Sequence, residues 1–175
     1  NKLMKGFVGS ANIDTNSRLC MASAVAAHNR AFGEDIVPVT YDDLDDADLI
    51  VLVGSNTAWC HPVIWQRIEA ARERKGTKIV VIDPRRTETA EQADLHVPVA
   101  PDGDVALFNA LLADMVRRGL AQGDDAALDH GVDAEVFAAL ADLVAEHPRM
   151  ITLFSMGANQ SVAGTDKGNA IINLH

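Results

Sequence analysis

The stretch Leu49-Ile50-Val51-Leu52-Val53-Gly54-Ser55-Asn56 decides the fold of this 175-residue chain. Five consecutive apolar residues that stop at a glycine read as a strand buried on both faces of a parallel sheet. Beyond it, Pro62, Val63, Ile64, Ile68 and Ala71 carry an apolar helical spacing to about Arg74, and Gly76 ends that helix. A second apolar run, Ile79 to Ile82, closes in Asp83-Pro84-Arg85. The two runs start about thirty positions apart, the length of one βαβ unit. Ligands bind such sheets at the carboxyl ends of the strands, which is where both polar loops fall. That edge is the expected binding edge.

Working outward, Leu95 to Val99 reads as a third strand, followed by Pro101-Asp102-Gly103-Asp104 and a helix from about Val105 to Arg118. Residues 119–148 are an insertion-like segment with one amphipathic helix, Glu135 to Glu146. Met150 to Phe154 reads as a fourth strand, ending in the polar loop Ser155 to Ser161, and Gly164-Thr165-Asp166-Lys167 opens a last helix. Toward the amino end, residues 1–16 read as a loop or short strand. Asn16 or Ser17 is the expected cap of a helix whose face is Leu19, Ala22, Val25 and Ala26, running to Phe32-Gly33. Asp35 to Val39 is expected as a short edge strand. The fold class is therefore α/β, a Rossmann-like three-layer sandwich around a mostly parallel sheet. Residues 35–175 form that unit, and residues 1–34 reach toward a neighbouring domain.

Hydrophobic residues make up 48% of the chain, enough for a core, and the net charge is −10. That charge argues against nucleic acid and anionic membranes as partners. The longest apolar run is far short of a membrane span, and no signal peptide is visible. Two cysteines, Cys20 and Cys60, make no disulfide framework, and a cytoplasmic location is the modest inference. Tyr41 to Asp48 carries a run of aspartates without the glycine and closing glutamate of a calcium loop, so it reads as a solvated acidic helical turn. The opening at Asn1 and the close within Asn169 to His175 suggest a fragment of a larger polypeptide.

Several residues carry chemistry of their own. Gly54 permits a tight turn and close approach of the backbone to a phosphate, with Ser55 and Asn56 as added donors. A full six-position dinucleotide fingerprint is missing, which counts against an ordinary NAD site. Asp83 ends a strand where a carboxylate accepts from ribose hydroxyls, and Arg85 and Arg86 offer forked donors for phosphate. The plainer alternative is an Asp-Pro turn with two solvated arginines. Cys20, expected in the first turn of its helix and close to Arg18, would feel the positive helix end. Its plainer alternative is a small buried helical cysteine. His61 stands before proline at a helix start, where a catalytic base and a packing or capping residue are both open. Cys60 has the same bland reading.

Gly54-Ser55-Asn56 after a strand, His61-Pro62 opening a helix and Asp83-Pro84-Arg85-Arg86-Thr87 after the next strand resemble the molybdopterin oxidoreductases. Asn12-Ile13-Asp14-Thr15-Asn16-Ser17-Arg18-Leu19-Cys20-Met21 and Asn56-Thr57-Ala58-Trp59-Cys60-His61-Pro62 are similar, within that family, to assimilatory nitrate reductase catalytic subunits. The likeness runs from Lys2 to His175 and is weaker near 120–148. It implies one half of a bis(molybdopterin guanine dinucleotide) molybdenum cofactor held by Gly54, Ser55, Asn56, His61, Asp83, Arg85 and Thr87. It implies Cys20 as the protein ligand to molybdenum, with Met21 beside it. The family usually shows Pro-Gly-Thr-Asp or Pro-Gly-Ser-Asp where Asp102-Gly103-Asp104 follows Pro101, and the kept carboxylate of Asp104 would pair with guanine. Met156, Gly157 and Gln160 match the loop that approaches the pterin and the metal, Gln160 with a catalytic role. Lys167 is a further cofactor-binding position in that likeness, and it tilts the likeness toward nitrate reductases, since resembling formate dehydrogenases tend to have asparagine there.

The activity so implied is oxygen-atom transfer from nitrate, leaving nitrite. Electrons would come from an electron-donor protein or domain through a [4Fe-4S] cluster. This chain holds no closely spaced cysteine set for that cluster, which belongs to missing domains of the same polypeptide. Alone, the chain is expected to be inactive. The alternatives are a formate dehydrogenase or another molybdopterin oxidoreductase, or a stand-alone Rossmann-type nucleotide-binding module.

Overall fold

The computed structural model describes residues 1–175, with the side chain of Arg18 outside the described set. Its core is a four-stranded sheet in the order β3-β2-β1-β4, with β1 at Leu49–Val53, β2 at Lys78–Ile82, β3 at Leu95–Val97 and β4 at Met150–Phe154. Every pairing is parallel, with Leu49 opposite Lys78 on one side and Met150 on the other. The expected mostly parallel sheet is thus entirely parallel. The chain steps outward from β1 to β2 to β3 and then returns to place β4 on the far side of β1. That reversal makes the gap between β1 and β4 a topological switch point, where the loops leaving the two strands diverge and leave a crevice.

Each strand of such a sheet presents alternate residues to opposite faces. Leu49, Val51 and Val53 meet Val80, Ile82 and Val97 on one side. There they pack against Leu107, Phe108 and Leu111 of α7 (Asp104–Arg117), Leu140 of α8 (Ala134–Glu146) and Ile171 of α10 (Gly164–Asn173). Ile50, Leu52, Ile79 and Val81 face the other way. They pack under Leu44 of α3 (Tyr41–Asp46), Trp65 and Ile68 of α5 (Pro62–Lys75), and Ala90 of α6 (Glu88–Glu91). All five residues of β1 are buried. Burial of such a side chain stabilises by about 1.5–3 kcal/mol, so β1 anchors both layers at once. Among the described residues no helix is long and apolar enough to cross a membrane.

Local chemistry sets the boundaries. Pro62 opens α5, and Gly76, at φ 78°, closes it with its N–H donating to the Arg72 carbonyl. Thr40 and Asp43 form a reciprocal capping box, so the acidic run is the helix α3. β3 stops at Val97, two residues earlier than expected, because Pro98 has no N–H to donate to the ladder.

The amino-terminal third departs further from expectation. Lys2–Val8 forms a π-helical turn, where a loop or short strand was expected, and it buries no side chain. The single helix expected from Asn16 to Phe32 is two, α1 (Ser17–Cys20) and α2 (Ala22–Phe32), interrupted at Met21. Neither Asn16 nor Met21 caps through its side chain. Cys20 therefore closes a short helix instead of lying in the first turn of a long one. Asp35 to Val39 forms no strand, since Pro38 can donate no ladder bond and the chain there leads directly into the α3 cap. α2 lies on α10 so closely that a Cβ built on Gly168 would stand 2.7 Å from the Cβ of Ala27.

Candidate functional site

A cavity of about 490 Å³ opens at the carboxyl edge of the sheet, at the switch point. Four loops wall it: Gly54 and Asn56 after β1, Asp83 to Arg85 after β2, Val99 to Asp102 with Asp104 after β3, and Ser155 to Gly157 with Gln160 and Ser161 after β4. Lys167 reaches it from α10 and Cys60 from α4 (Thr57–Cys60).

The β1 and β4 loops pass one another with no room for a side chain. The N–H of Gly157 donates to the Gly54 carbonyl at 3.0 Å. A Cβ on Gly54 would lie 2.6 Å from the Gly157 carbonyl carbon, and one on Gly157 would lie 2.6 Å from Gly54 Cα. Gly54 also has φ 55°, a conformation that L side chains rarely adopt. The β1 loop is tied down from the other layer as well. Thr89, fully buried in α6, donates through Oγ1 to Asn56 Oδ1 at 2.7 Å and accepts the Ala58 N–H at 3.0 Å.

On the β2 side, Asp83 is almost fully buried, and its Oδ1 accepts the Arg85 N–H at 2.8 Å. That bond shapes the turn that leaves the Arg85 side chain exposed at the cavity wall. On the β3 side, Lys167 is only 2% exposed and bonds Asp102 Oδ1 at 2.8 Å and Asp104 Oδ2 at 2.9 Å. Burial alone would lower the ammonium pKa, but the hydrogen bonds that Lys167 donates to Asp102 and Asp104 outweigh it and hold the value raised. The Lys167 and Ser161 donors keep the Asp102 carboxyl below the usual range.

Cys20 comes to the rim of this cavity from the other end of the sequence. Its Sγ accepts from Gln160 Nε2 at 2.9 Å and lies 3.5 Å from Met156 Sδ. The buried Asn159 side chain, at the end of the short helix α9 (Met156–Asn159), donates to the Cys20 carbonyl at 3.1 Å. A thiol, two cavity-lining partners and a buried amide thus form one cluster.

Of the sequence-predicted residues, Gly54, Asn56, Asp83, Arg85, Asp104, Met156, Gly157, Gln160 and Lys167 line the cavity. Cys20 adjoins it through Gln160 and Met156, while Met21 stands exposed at the break between α1 and α2. Three others are not brought to the lining. Ser55 is buried with its hydroxyl bonded to that of Thr57 at 2.9 Å. Thr87 caps α6, accepting the Ala90 N–H. His61 is exposed at the start of α5 and makes no side-chain cap bond. The Arg18 side chain, expected near Cys20, lies outside the described residues. Sequence reasoning missed Cys60, Ser161, Thr89 and Asn159 as parts of the site. For Cys60 the signal was available, because four residues of α4 return the chain toward the loop it left.

The donor set suits a large anionic nucleotide-like ligand with a soft metal: glycine backbone and a guanidinium for phosphate, carboxylates for N–H donors, and a thiol at the rim. The residues present fit a molybdenum–pterin group in that respect.

The family model for molybdopterin oxidoreductase matches residues 1–175. A nitrate reductase from Klebsiella oxytoca is 50% identical across all of this chain and 22% of its own length. One from Shewanella frigidimarina is 47% identical across all of this chain and 21% of its own. The chain thus spans about a fifth of the length of these relatives. Among solved structures, acetylene hydratase from Pelobacter acetylenicus superposes with a TM-score of 0.68 over 95% of this chain and 26% of its own, at 20% identity, a likeness of fold alone.

Proposed function

The chain belongs to the molybdopterin oxidoreductase family, and on that premise we propose that it is the part of a molybdenum-dependent nitrate reductase that binds one half of a bis(molybdopterin guanine dinucleotide) cofactor. The observation that carries this reading is the meeting of Cys20 with Gln160 and Met156 at the rim of the switch-point cavity. In the proposed assignment Cys20 is the protein ligand to molybdenum, and Gln160 fixes the sulfur. Met21 and Met156 flank it. Gly54, Asn56 and Arg85 hold phosphate, Asp83 accepts from ribose hydroxyls, and Asp104 accepts from guanine N–H groups. When bound, the group supplies two-electron oxygen-atom exchange with nitrate, leaving nitrite. The chain's own residues bind and orient it: the glycine crossing admits the backbone of both loops, and the buried carboxylates offer acceptors fixed in place.

Residues 1–34 are proposed to reach a neighbouring domain. The exposed Leu3, Phe7, Val8 and Leu19 support this, being apolar side chains with no cover of their own. A [4Fe-4S] cluster and an electron donor are assigned to the rest of the same polypeptide or its partner. Assimilatory use and a cytoplasmic site rest on likeness to relatives that differ among themselves. A relative from Haloferax mediterranei is named assimilatory, while one from Desulfovibrio desulfuricans, at 34% identity, is named periplasmic.

The test uses the full-length polypeptide, wild type and Cys20→Ser. Molybdenum and guanine nucleotide content are measured, together with oxidation of a reduced dye by nitrate and reduction of the oxidised dye by formate. The expected wild type carries about two guanine nucleotides per molybdenum and consumes nitrate, and Cys20→Ser loses most of its turnover. A metal-bearing protein inert to nitrate removes the substrate, and protein free of both metal and guanine removes the cofactor.

A further inference from the structure

Lys167 lines the cavity, yet its ammonium is spent. Two of its three N–H donors go to Asp102 and Asp104, and the side chain is 2% exposed. One positive charge between two carboxylates leaves the cluster with a net charge of about −1, which repels phosphate. A phosphate-binding role is therefore the wrong one for this lysine.

The geometry points to Lys167 as a positioning residue that presents Asp104 to the donor edge of a purine base. Asp104 begins α7, where the helix end also favours a carboxylate. Its Oδ2 is held by Lys167, while Oδ1 makes no hydrogen bond among the described residues. The turn before it is fastened by the same ammonium. Asp102 stands at φ 65°, the one left-handed residue of the chain that is not glycine among those described. Left-handed backbone at an L residue costs about 1–2 kcal/mol, least for aspartate and asparagine. The bonds from Lys167 and from Ser161 Oγ at 2.6 Å offset that cost. Gly103 cannot take over the work of Asp102: a Cβ there would sit 3.0 Å from both the Ala100 carbonyl and Val99 Cγ2. Two loops and α10 are thereby locked around one buried charge, with Asp104 on the cavity wall. An N–H and an adjacent amino group are the complementary donors.

The inference rests on the guanine reading of the cavity, and its test separates the two. The probes are guanosine diphosphate and inosine diphosphate, which differ only in the exocyclic amine, titrated against the chain. Wild type is expected to prefer the guanosine form by about tenfold, in line with a bidentate base contact. Lys167→Met is expected to bring that ratio to within about twofold, because Asp104 loses its tether, and Asp102→Asn is expected to keep it. Folded Lys167→Met with an unchanged ratio overturns the inference, and so does equal weakening of both nucleotides, which would make the lysine a phosphate ligand. Should Lys167→Met fail to fold, the double variant Lys167→Met with Asp102→Asn removes the ammonium together with one charge it holds and is read in the same way. Wild type that binds neither nucleotide removes the guanine reading. The tether is then judged by urea unfolding, where losses for Lys167→Met and Asp104→Asn that are less than additive support it and additive losses overturn it.

Discussion

The side-chain amide of Gln160 donates to the sulfur of Cys20 across 2.9 Å, joining two residues 140 positions apart in the chain. An N–H donor at that distance holds the sulfur in one rotamer. Gln160→Glu keeps the shape and replaces the donor with a carboxylate. In a Cys60→Ser background, the rate at which iodoacetamide alkylates Cys20 is expected to change by about threefold, because the amide bond that holds the sulfur is gone. An unchanged rate would mean that the amide does not face the sulfur in solution.

The glycine crossing makes a sharper demand. Gly157→Ala sets a methyl group 2.6 Å from Gly54 Cα, with backbone on both sides that cannot move aside cheaply. Overpacking of this kind costs about 1–3 kcal/mol, and urea unfolding is expected to show at least that loss. Gly33→Ala is the control, since Gly33 has φ 81° but nothing within 4 Å of an added Cβ. It should cost only the backbone preference, about 1 kcal/mol. Equal losses at the two sites would show that the crossing is looser than described.

Thr89→Val removes a hydroxyl at constant shape. The Ala58 N–H and Asn56 Oδ1 then lose their partner in a part-buried place. Unmet groups of this sort cost about 1–3 kcal/mol. The expected result is a lower unfolding midpoint together with weaker nucleotide binding, because the β1 loop loses its tie to α6. A stability loss with binding untouched would detach Thr89 from the site.

At the opposite edge of the sheet, Asp48 receives both arms of Arg149, at 2.7 and 2.8 Å, and Lys75 at 3.1 Å. The hydrogen bonds from Arg149 and then Lys75 hold its carboxyl below the ordinary value. A depressed folded-state carboxyl contributes stability that is present above its unfolded pKa and lost as the pH falls through the folded one. Asp48→Asn is therefore expected to be less stable than wild type at neutral pH and to converge with it in strong acid. The difference will be small, since the pair is solvent-screened. Parallel curves down to the acid limit would remove the ion pair from the account.

Period and punctuation made the sheet legible. Four strands, the Pro62 start and Gly76 stop of α5, and the helix opened by Asp104 all follow from apolar runs and their end residues. The amino-terminal third was not legible, because its form is set by contacts rather than by propensity. The break at Met21 bears no helix-breaking residue, and the short helix that precedes it is joined to the rest by Asn159 and Gln160 from far along the chain. The cavity residues split along the same line. Loop residues that end strands were readable by position, while Thr89 and Asn159 act from inside helices, where a polar residue gives no local sign of what it will bond. Lys167 was readable as unusual but not as buried, since its partners lie on another loop.

The contact of Ala27 with Gly168 sets the spacing of the two halves of the site. α2 follows directly on the turn that carries Cys20, and α10 carries Lys167. Because the helices meet backbone to methyl, with no flexible side chain between them, there is no cushion to absorb an error. A single added methyl at position 168 would act as a shim, lifting α2 and drawing the thiol away from Gln160 while every residue that lines the cavity stayed unchanged. The separation between sulfur and nucleotide pocket is thus gauged at a point that touches neither.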